Sequence, residues 1–335
     1  MTQGDLRAGL IGCGRIGCEF DDDAQRIGIY THAAAYRAAA GVALWAIADA
    51  DPAKLTNCGD RYGIPLERRY TNAQAMLAAG QLDLVSIAAP DALHFPLAKA
   101  ALATPGVRGI LLEKPLALSV EAGRELVDLA ATHQRALAVN YSRRFCPAHA
   151  RVQTALAEGG LGNIQQVSGY YGKGIRHNGS HWLDLLRQCF GPISRLQAWA
   201  SSAPDFESDP SPDLRIELAS GLRASLLSTN HLAYSLFELD IVATLGRVRI
   251  SDSGHRIDWY TVQDSPFYSG YRLPQLQETD QSGMRDLLLA AVEDLRDATL
   301  TRRLPRCTAE DGLAALLAAE TAIQSLASGK AERLP

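Results

Sequence analysis

Gly12-Cys13-Gly14-Arg15-Ile16-Gly17 sets three glycines at the spacing that lets a chain turn sharply and pass its backbone close to a phosphate. The motif directly follows the apolar run Leu6–Ile11 and is expected to open a helix. Gly12 then permits the turn, Gly14 the close approach and Gly17 the packing of helix on strand. Arg15 and Ile16 fall at the helix start, where unpaired amides and the dipole favour an anion such as a pyrophosphate. Asp49 closes the next apolar run, Val42–Ala48. A carboxylate there accepts hydrogen bonds from both adenosine ribose hydroxyls and repels an added phosphate, so NAD is favoured over NADP; no arginine closely follows it. The plainer reading makes Asp49 a turn residue, with Asp51 as the helix cap. Ala89-Pro90-Asp91-Ala92-Leu93-His94 follows the run 82–88, at strand ends where such sheets bind ligands. Pro90 and Asp91 are expected to line the nicotinamide side, which is compatible with Asp91 capping a helix and His94 packing within it.

These residues need a scaffold, and the first 140 residues supply one. Short apolar runs (Leu6–Ile11, Val42–Ala48, 82–88, 109–112, 136–139, with a weak one at Arg69–Tyr70) alternate with helical patterns. That is the signature of βαβ units and a parallel sheet. Asp51-Pro52 starts one helix and Gly63 stops it, Thr31 and Gly41 bracket another, and Ser119 precedes a third. The interval from the glycines to Asp49 exceeds the usual span of about 20 residues. An insertion at 19–30 containing Asp21-Asp22-Asp23 explains the excess, as a cover for the adenosine side or as a solvated loop. After Pro147 the rhythm changes: a helix at 148–158, then β-patterned runs at Ile164–Tyr171, 193–200, 214–218, 222–228, 237–242 and 247–250. A helix near 180–189, a polar loop at 201–212 and two final helices (284–300 and Ala309–Ser328) complete the pattern. The expected fold is an α/β Rossmann domain (1–145) followed by an α+β domain (146–335) with a mostly antiparallel open sheet. The C-terminal helix is free to pack back on the first domain.

Composition narrows the function classes. The chain has 335 residues, enough for about two domains, with 47% hydrophobic and 21% charged residues. A formal charge of −4 leaves no footprint for nucleic acid or an anionic membrane, and no apolar run is long enough to span a bilayer. The start Met1-Thr2-Gln3-Gly4-Asp5 lacks the basic and apolar regions of a leader, so a cytoplasmic location is expected. The six cysteines are scattered without metal-ligand spacing; no metal is expected, and the thiols are read as reduced and structural.

Glu113-Lys114-Pro115, after the fifth strand, completes a set that resembles the Gfo/Idh/MocA oxidoreductases. Gly12-x-Gly14-x-x-Gly17, Ala88-Ala89-Pro90 with His94, Glu113-Lys114-Pro115, Asn140-Tyr141-x-Arg143-Arg144-Phe145 and His181-x-x-Asp184 occur in the family's order across nearly the whole chain. The resemblance implies NAD(H)-dependent oxidation of a hydroxyl on a sugar, sugar derivative or cyclitol, or the reverse reduction. It also implies a homodimer or homotetramer built through the C-terminal sheet. Lys114 looks like the motif lysine that holds the reacting oxygen and touches the cofactor edge. The Lys114-Pro115 bond is often cis in relatives. His181 resembles the catalytic histidine, suited to carry the hydroxyl proton because an imidazole titrates near neutrality. Asp184 either orients a neighbouring polar group or is a first-turn carboxylate favoured by the helix dipole. Asn140 and Tyr141 are expected to border the substrate, with Tyr141 as reserve acid.

One position departs from the pattern. Many relatives carry an aspartate four residues before the catalytic histidine, where this chain has His177 in Arg176-His177-Asn178-Gly179-Ser180-His181. A histidine cannot bind a substrate hydroxyl as an anion, which puts the proton relay and the direction of reaction in question. This form is similar to a subgroup associated with polysaccharide and nucleotide-sugar gene contexts. Lys173, Arg176 and Arg144 would then meet a phosphate or carboxylate on the substrate, with Asn178 beside them; basic loop residues are otherwise simply solvated. The competing reading is a catalytically silent protein of the same fold that senses a dinucleotide or sugar, and a non-sugar substrate is a third.

Overall fold

Six short strands in the first part of the chain form one parallel sheet in the order β3-β2-β1-β4-β5-β6. The computed structural model describes residues 5–26, 28–281 and 284–334. Residues 1–4, read above for a leader, and Ile27 of the insertion lie outside the described residues. In chain order the elements are β1 (Leu6–Ile11), α1 (His32–Ala38), β2 (Val42–Ala48), α2 (Pro52–Tyr62), β3 (Arg69–Tyr70), α3 (Ala73–Ala78), β4 (Leu84–Ile87), α4 (His94–Ala103), β5 (Gly109–Glu113), α5 (Val120–Thr132) and β6 (Ala136–Asn140). Burial explains why the strands read as continuous apolar runs: every residue of β4 is buried, as are four of the five in β5. The strand order reverses between β1 and β4, the topological switch point at whose carboxyl ends such sheets take ligands. The caps fall where the sequence places them. Asp51 accepts the Ala53 amide at 2.9 Å, Gly63 ends α2 in the left-handed region, and Ser119 accepts the Ala122 amide at 3.2 Å.

The glycine motif does not open a continuous helix, contrary to expectation. The chain makes a single turn, runs into a short 3-10 segment at Glu19–Asp22, and reaches α1 only at His32. The insertion is the cause, and the structure shows how it is absorbed. The His32 and Ala33 amides bond the carbonyls of Ile16 (3.1 Å) and Gly17 (3.0 Å), so α1 stacks on the first turn as though the helix had continued. The acidic run is exposed to solvent yet anchored. Asp21 accepts from Thr31 Oγ1 (2.6 Å) and Tyr62 OH (2.5 Å), and Asp22 pairs with Arg61 (2.5 Å), which ties the excursion to α2.

The remaining elements are α6 (Pro147–Ala157), β7 (Ile164–Tyr171), α7 (Ser180–Phe190), β8 (Ile193–Trp199), β9 (Asp213–Leu218), β10 (Arg223–Ser228), β11 (Glu238–Ala243), β12 (Gly246–Ser251), β13 (Arg256–Asp264), β14 (Arg272–Asp280), α8 (Leu287–Thr301), α9 (Ala309–Ser328) and β15 (Glu332–Arg333). Nine strands form a second sheet in the order β14-β13-β12-β11-β7-β10-β9-β8-β15, antiparallel throughout except for β7 beside β10. Helix α7 lies on this sheet because β7 carries Gly169, where any Cβ would collide with the Trp182 indole. The Trp182 Nε1 donates to the Glu238 carbonyl at 3.1 Å.

Two compact units emerge: residues up to Phe145 with Arg285–Leu313, and Cys146–Met284 with the residues from Ala314 onward. Residues 285–313 thus group with the first unit although they follow most of the second in sequence. The reason is packing: Gly312 fits against Val139 and Leu116, and the Val139 amide bonds the Cys307 carbonyl at 3.1 Å.

Candidate active site

The parallel sheet brings most sequence-predicted residues of the first unit to one edge. Gly12, Asp49, Pro90, Lys114 and Tyr141 each follow the carboxyl end of a different strand. At Gly12 (φ 97°) a Cβ would fall against the Ala88 carbonyl, and at Gly17 against the Gly12 carbonyl, so both glycines are required by close backbone approach. Gly14 differs: a Cβ there would meet nothing nearer than Lys54 Nζ at 3.8 Å, so its face is open. The amides of Gly14, Arg15 and Ile16 find no backbone acceptor among the described residues. Asp49 fastens this loop, accepting from the Cys13 amide (2.7 Å) and the Asp51 amide (2.9 Å). A carboxylate offers about four lone-pair sites, so two remain for ribose hydroxyls. Beneath the loop Cys13, Cys18 and Cys58 are buried together with Leu10 and Ile47, and none of these three forms a disulfide. A hydrogen bond donated to Cys13 holds the proton on Cys58 and pushes its thiol well above the ordinary range, which marks it as unreactive core.

Behind Lys114 runs a buried polar chain that sequence reasoning does not foresee. Tyr36 OH and Ser86 Oγ lie 2.6 Å apart, Ser86 Oγ bonds His32 Nδ1 at 3.0 Å, and His32 Nε2 meets Glu113 Oε1 at 2.9 Å. The Asn140 amide donates to the same Glu113 oxygen at 2.6 Å. Burial raises the Glu113 carboxyl, but the His32 hydrogen bond and charge, the Asn140 bond and the Lys114 charge outweigh it and hold the group below the usual glutamate range. An acid depressed in the folded state stabilises the fold above its unfolded pKa, and that stability is lost as pH falls through the folded value. Glu113→Gln is therefore expected to flatten the acid limb of thermal midpoint against pH; an unchanged limb would remove Glu113 from the linkage.

His94 links the two loops at this edge. Its ring is fully buried, with Nδ1 2.6 Å from the Pro115 carbonyl and Nε2 3.0 Å from the Ala89 carbonyl. It positions the Ala89-Pro90 turn and Lys114-Pro115, whose peptide bond is cis, rather than facing a ligand itself. Asn140 is 4% exposed, and its Oδ1 has no hydrogen-bond partner. That orphaned acceptor, the open face of Gly14 and the free loop amides fit a dinucleotide with a polar carboxamide end. Tyr141 is 1% exposed, so its ring packs in the interior.

Arg144 does not reach toward a ligand. Its guanidinium is buried and bonds Asp311 through both terminal nitrogens at 3.0 Å. Arg144→Ala is expected to cost about 3 kcal/mol of folding stability, since it strands a partly buried carboxylate. Urea unfolding measures this; a change within error would show that the pair contributes nothing.

In the second unit the histidine segment is a π-helix, Gly174–Gly179, running directly into α7; such turns recur at functional sites. The loop at 201–212 is an ordered small hairpin, with Phe206 and Asp209 exchanging backbone bonds of 3.0 and 2.9 Å. Asp209 caps the π-helix by accepting from the amides of Arg176 (3.1 Å) and His177 (2.9 Å), and Gly174 is required because a Cβ there would strike this carboxylate. Burial raises the Asp209 carboxyl despite those two bonds. The His177 ring stacks on Phe206 at 4.9 Å, and His231 meets the same ring edge-on at 5.6 Å. Asp209, Phe206 and His231 were all missed from sequence; the only signal was an Asp- and Pro-rich stretch. Arg176 is held by Glu320 through two bonds of 2.5 and 2.9 Å, so its expected role toward a substrate anion is replaced by a bridge to α9. Lys173 (φ 64°) precedes the segment and Asn178 lies within it; Asp184 is buried on α7, one turn from His181.

Residues 6–141 match the family model GFO_IDH_MocA, described as an oxidoreductase family with an NAD-binding Rossmann fold. Over 213 residues the chain is 32% identical to the D-apiose dehydrogenase of Paraburkholderia graminis, covering 58% of this chain and 52% of that protein. Over 163 residues it is 31% identical to the inositol 2-dehydrogenase of Rhizobium meliloti, covering 49% and 44%. The chain thus spans about half the length of the curated relatives it matches. An NAD binding oxidoreductase from Klebsiella pneumoniae has the same fold, with TM-score 0.83 at 19% identity over 99% of this chain and 100% of that one.

Proposed function

From the match of residues 6–141 to the Gfo/Idh/MocA oxidoreductases with their NAD-binding Rossmann fold, we propose that the chain is a member that oxidises a hydroxyl of a sugar, sugar derivative or cyclitol, or catalyses the reverse reduction. The observation that carries this reading is Lys114, set at the strand edge between a Glu113 fixed by His32 and Asn140 and a Pro115 whose carbonyl is held by His94. NAD, when bound, exchanges a hydride with the substrate carbon. Gly14, Arg15 and Ile16 present amides to its phosphates, Asp49 takes its ribose hydroxyls, and Pro90, Asp91 and the Asn140 oxygen border its other end. Lys114 holds the substrate oxygen and favours the developing alkoxide. His181 takes the hydroxyl proton, because Tyr141 is buried. His177, packed on Phe206, contacts substrate with Lys173 and Asn178 rather than relaying a proton. The relatives named dehydrogenases of apiose and inositol support this substrate class. Testing aldoses, sugar acids and cyclitols with NAD and with NADP, by nicotinamide absorbance, should give turnover that prefers NAD. Tight NADH binding without turnover on any of them would move the reading to a sensor.

The second sheet supports assembly into a homodimer or homotetramer. Tyr170 on β7, Trp199 on β8, Leu227 on β10 and Leu276 on β14 are exposed on strands of one sheet, more apolar surface than a solvated face needs. No helix among the described residues is long and apolar enough to cross a membrane. Cys13, Cys18 and Cys58, close together and not disulfide-bonded, suit a reducing compartment, which supports a cytoplasmic location.

A further inference from the structure

A cavity of about 520 Å³ lies at the opposite edge of the parallel sheet, at the amino ends of β5 and β6. The end of α5, the start of β6, the last turn of α8 and the first turn of α9 wall it, all within the first unit. Its volume falls in the range of small-molecule sites. Among its cations, Arg108 is paired with Asp83 and Arg303 with Asp294, each at 2.7 Å. Arg135 and Arg302 have no carboxylate partner among the described residues, and the Arg135 Nε is buried without any acceptor. Thr299 lines the same cavity at 8% exposure, and its Oγ1 is also buried without a partner. The 20-residue α9 begins here, and its Ala309 and Glu310 amides find no acceptor among the described residues. Among the described residues, Glu310 is the one acid lining the cavity.

Cations gather at helix carboxyl ends for a simpler reason, since α5 and α8 both terminate here and the dipole attracts positive charge. That reason accounts for Arg303, which bonds the Leu304 and Asp294 carbonyls. It does not account for Arg135 and Arg302, which bond none. Buried donors are normally satisfied, and three kinds of donor without a protein acceptor converge here: guanidinium groups (Arg135 with its Nε buried, Arg302 exposed), the buried Thr299 hydroxyl and the helix amides. Their common complement is an oxyanion with several acceptor oxygens.

We propose that this cavity is a second ligand site, distinct from the dinucleotide edge, that binds a small phosphate-bearing anion through Arg135, Arg302, Thr299 and the start of α9. The test is isothermal titration of inorganic pyrophosphate into the full chain saturated with NADH, which keeps the probe out of the glycine loop. Saturable binding at one site is expected, weakened at least about tenfold in Arg135→Gln/Arg302→Gln with NADH affinity unchanged. Arg302→Gln alone, at an exposed position, gives the same direction of change should the double variant fold poorly. Equal affinity in the variants, or no saturable binding at millimolar probe, overturns the site. Malonate binding as tightly as pyrophosphate overturns the phosphoryl assignment.

Discussion

Lys114→Ala is expected to lower turnover by about 10²–10³-fold while NADH continues to bind. The expectation follows from how this lysine is held. It leaves β5 at a turn where the next residue's carbonyl, Pro115 O, is fixed by the buried His94 ring, and its neighbour Glu113 is locked by His32 and Asn140. A side chain on so constrained a backbone is positioned before substrate arrives, which is when a fixed charge is most effective at a developing alkoxide. The glycine loop and Asp49 stand on other strands and keep their own hydrogen bonds, so the dinucleotide should lose little. Steady-state rates together with NADH fluorescence titration separate the two effects. Undiminished turnover would remove Lys114 from the chemistry.

Asp49→Ala should weaken NADH by about ten- to hundredfold and narrow the preference for NADH over NADPH. Two losses add. The carboxylate no longer fastens the Cys13 and Asp51 amides, so the glycine loop loses its tie to the end of β2. The acceptor for the ribose hydroxyls, and the charge that opposes an added phosphate, go with it. Comparing the ratio of the two dissociation constants in wild type and variant isolates the second loss from the first, because a loosened loop penalises both cofactors alike. An unchanged ratio would show that Asp49 is a turn residue only.

The parts of this fold that are legible in sequence are those with local causes. Thr31, Asp51 and Ser119 cap helices through neighbours two or three residues away, and Gly12 and Gly17 answer to a spacing visible in six residues. The hairpin of β13 and β14 was not foreseen, and its burial shows why. Leu273 and Leu276 are exposed and Pro274 interrupts the run, so β14 has no alternating apolar face to read. Pairings across long separations were equally silent. His32 and Glu113 are 81 positions apart, and nothing near either residue announces the other. The same holds for Arg144 with Asp311 and Arg176 with Glu320, two arginines whose types suggested an anionic substrate and whose charges are already matched within the fold. Asp209 is the instructive case. The resemblance leads to an aspartate being expected where this chain has His177, and the structure shows a carboxylate arriving at the His177 backbone from a hairpin 32 positions later.

The central claim is direct hydride exchange between a carbinol carbon and the nicotinamide ring. The most direct measurement gives the enzyme NAD and a polyol substrate deuterated at its carbon-bound positions, then weighs the reduced cofactor by mass spectrometry. The account predicts NADH carrying one deuterium on the nicotinamide, formed by wild type and lost in Lys114→Ala. Reduced cofactor without deuterium, or no reduced cofactor with any sugar, sugar derivative or cyclitol, would contradict it.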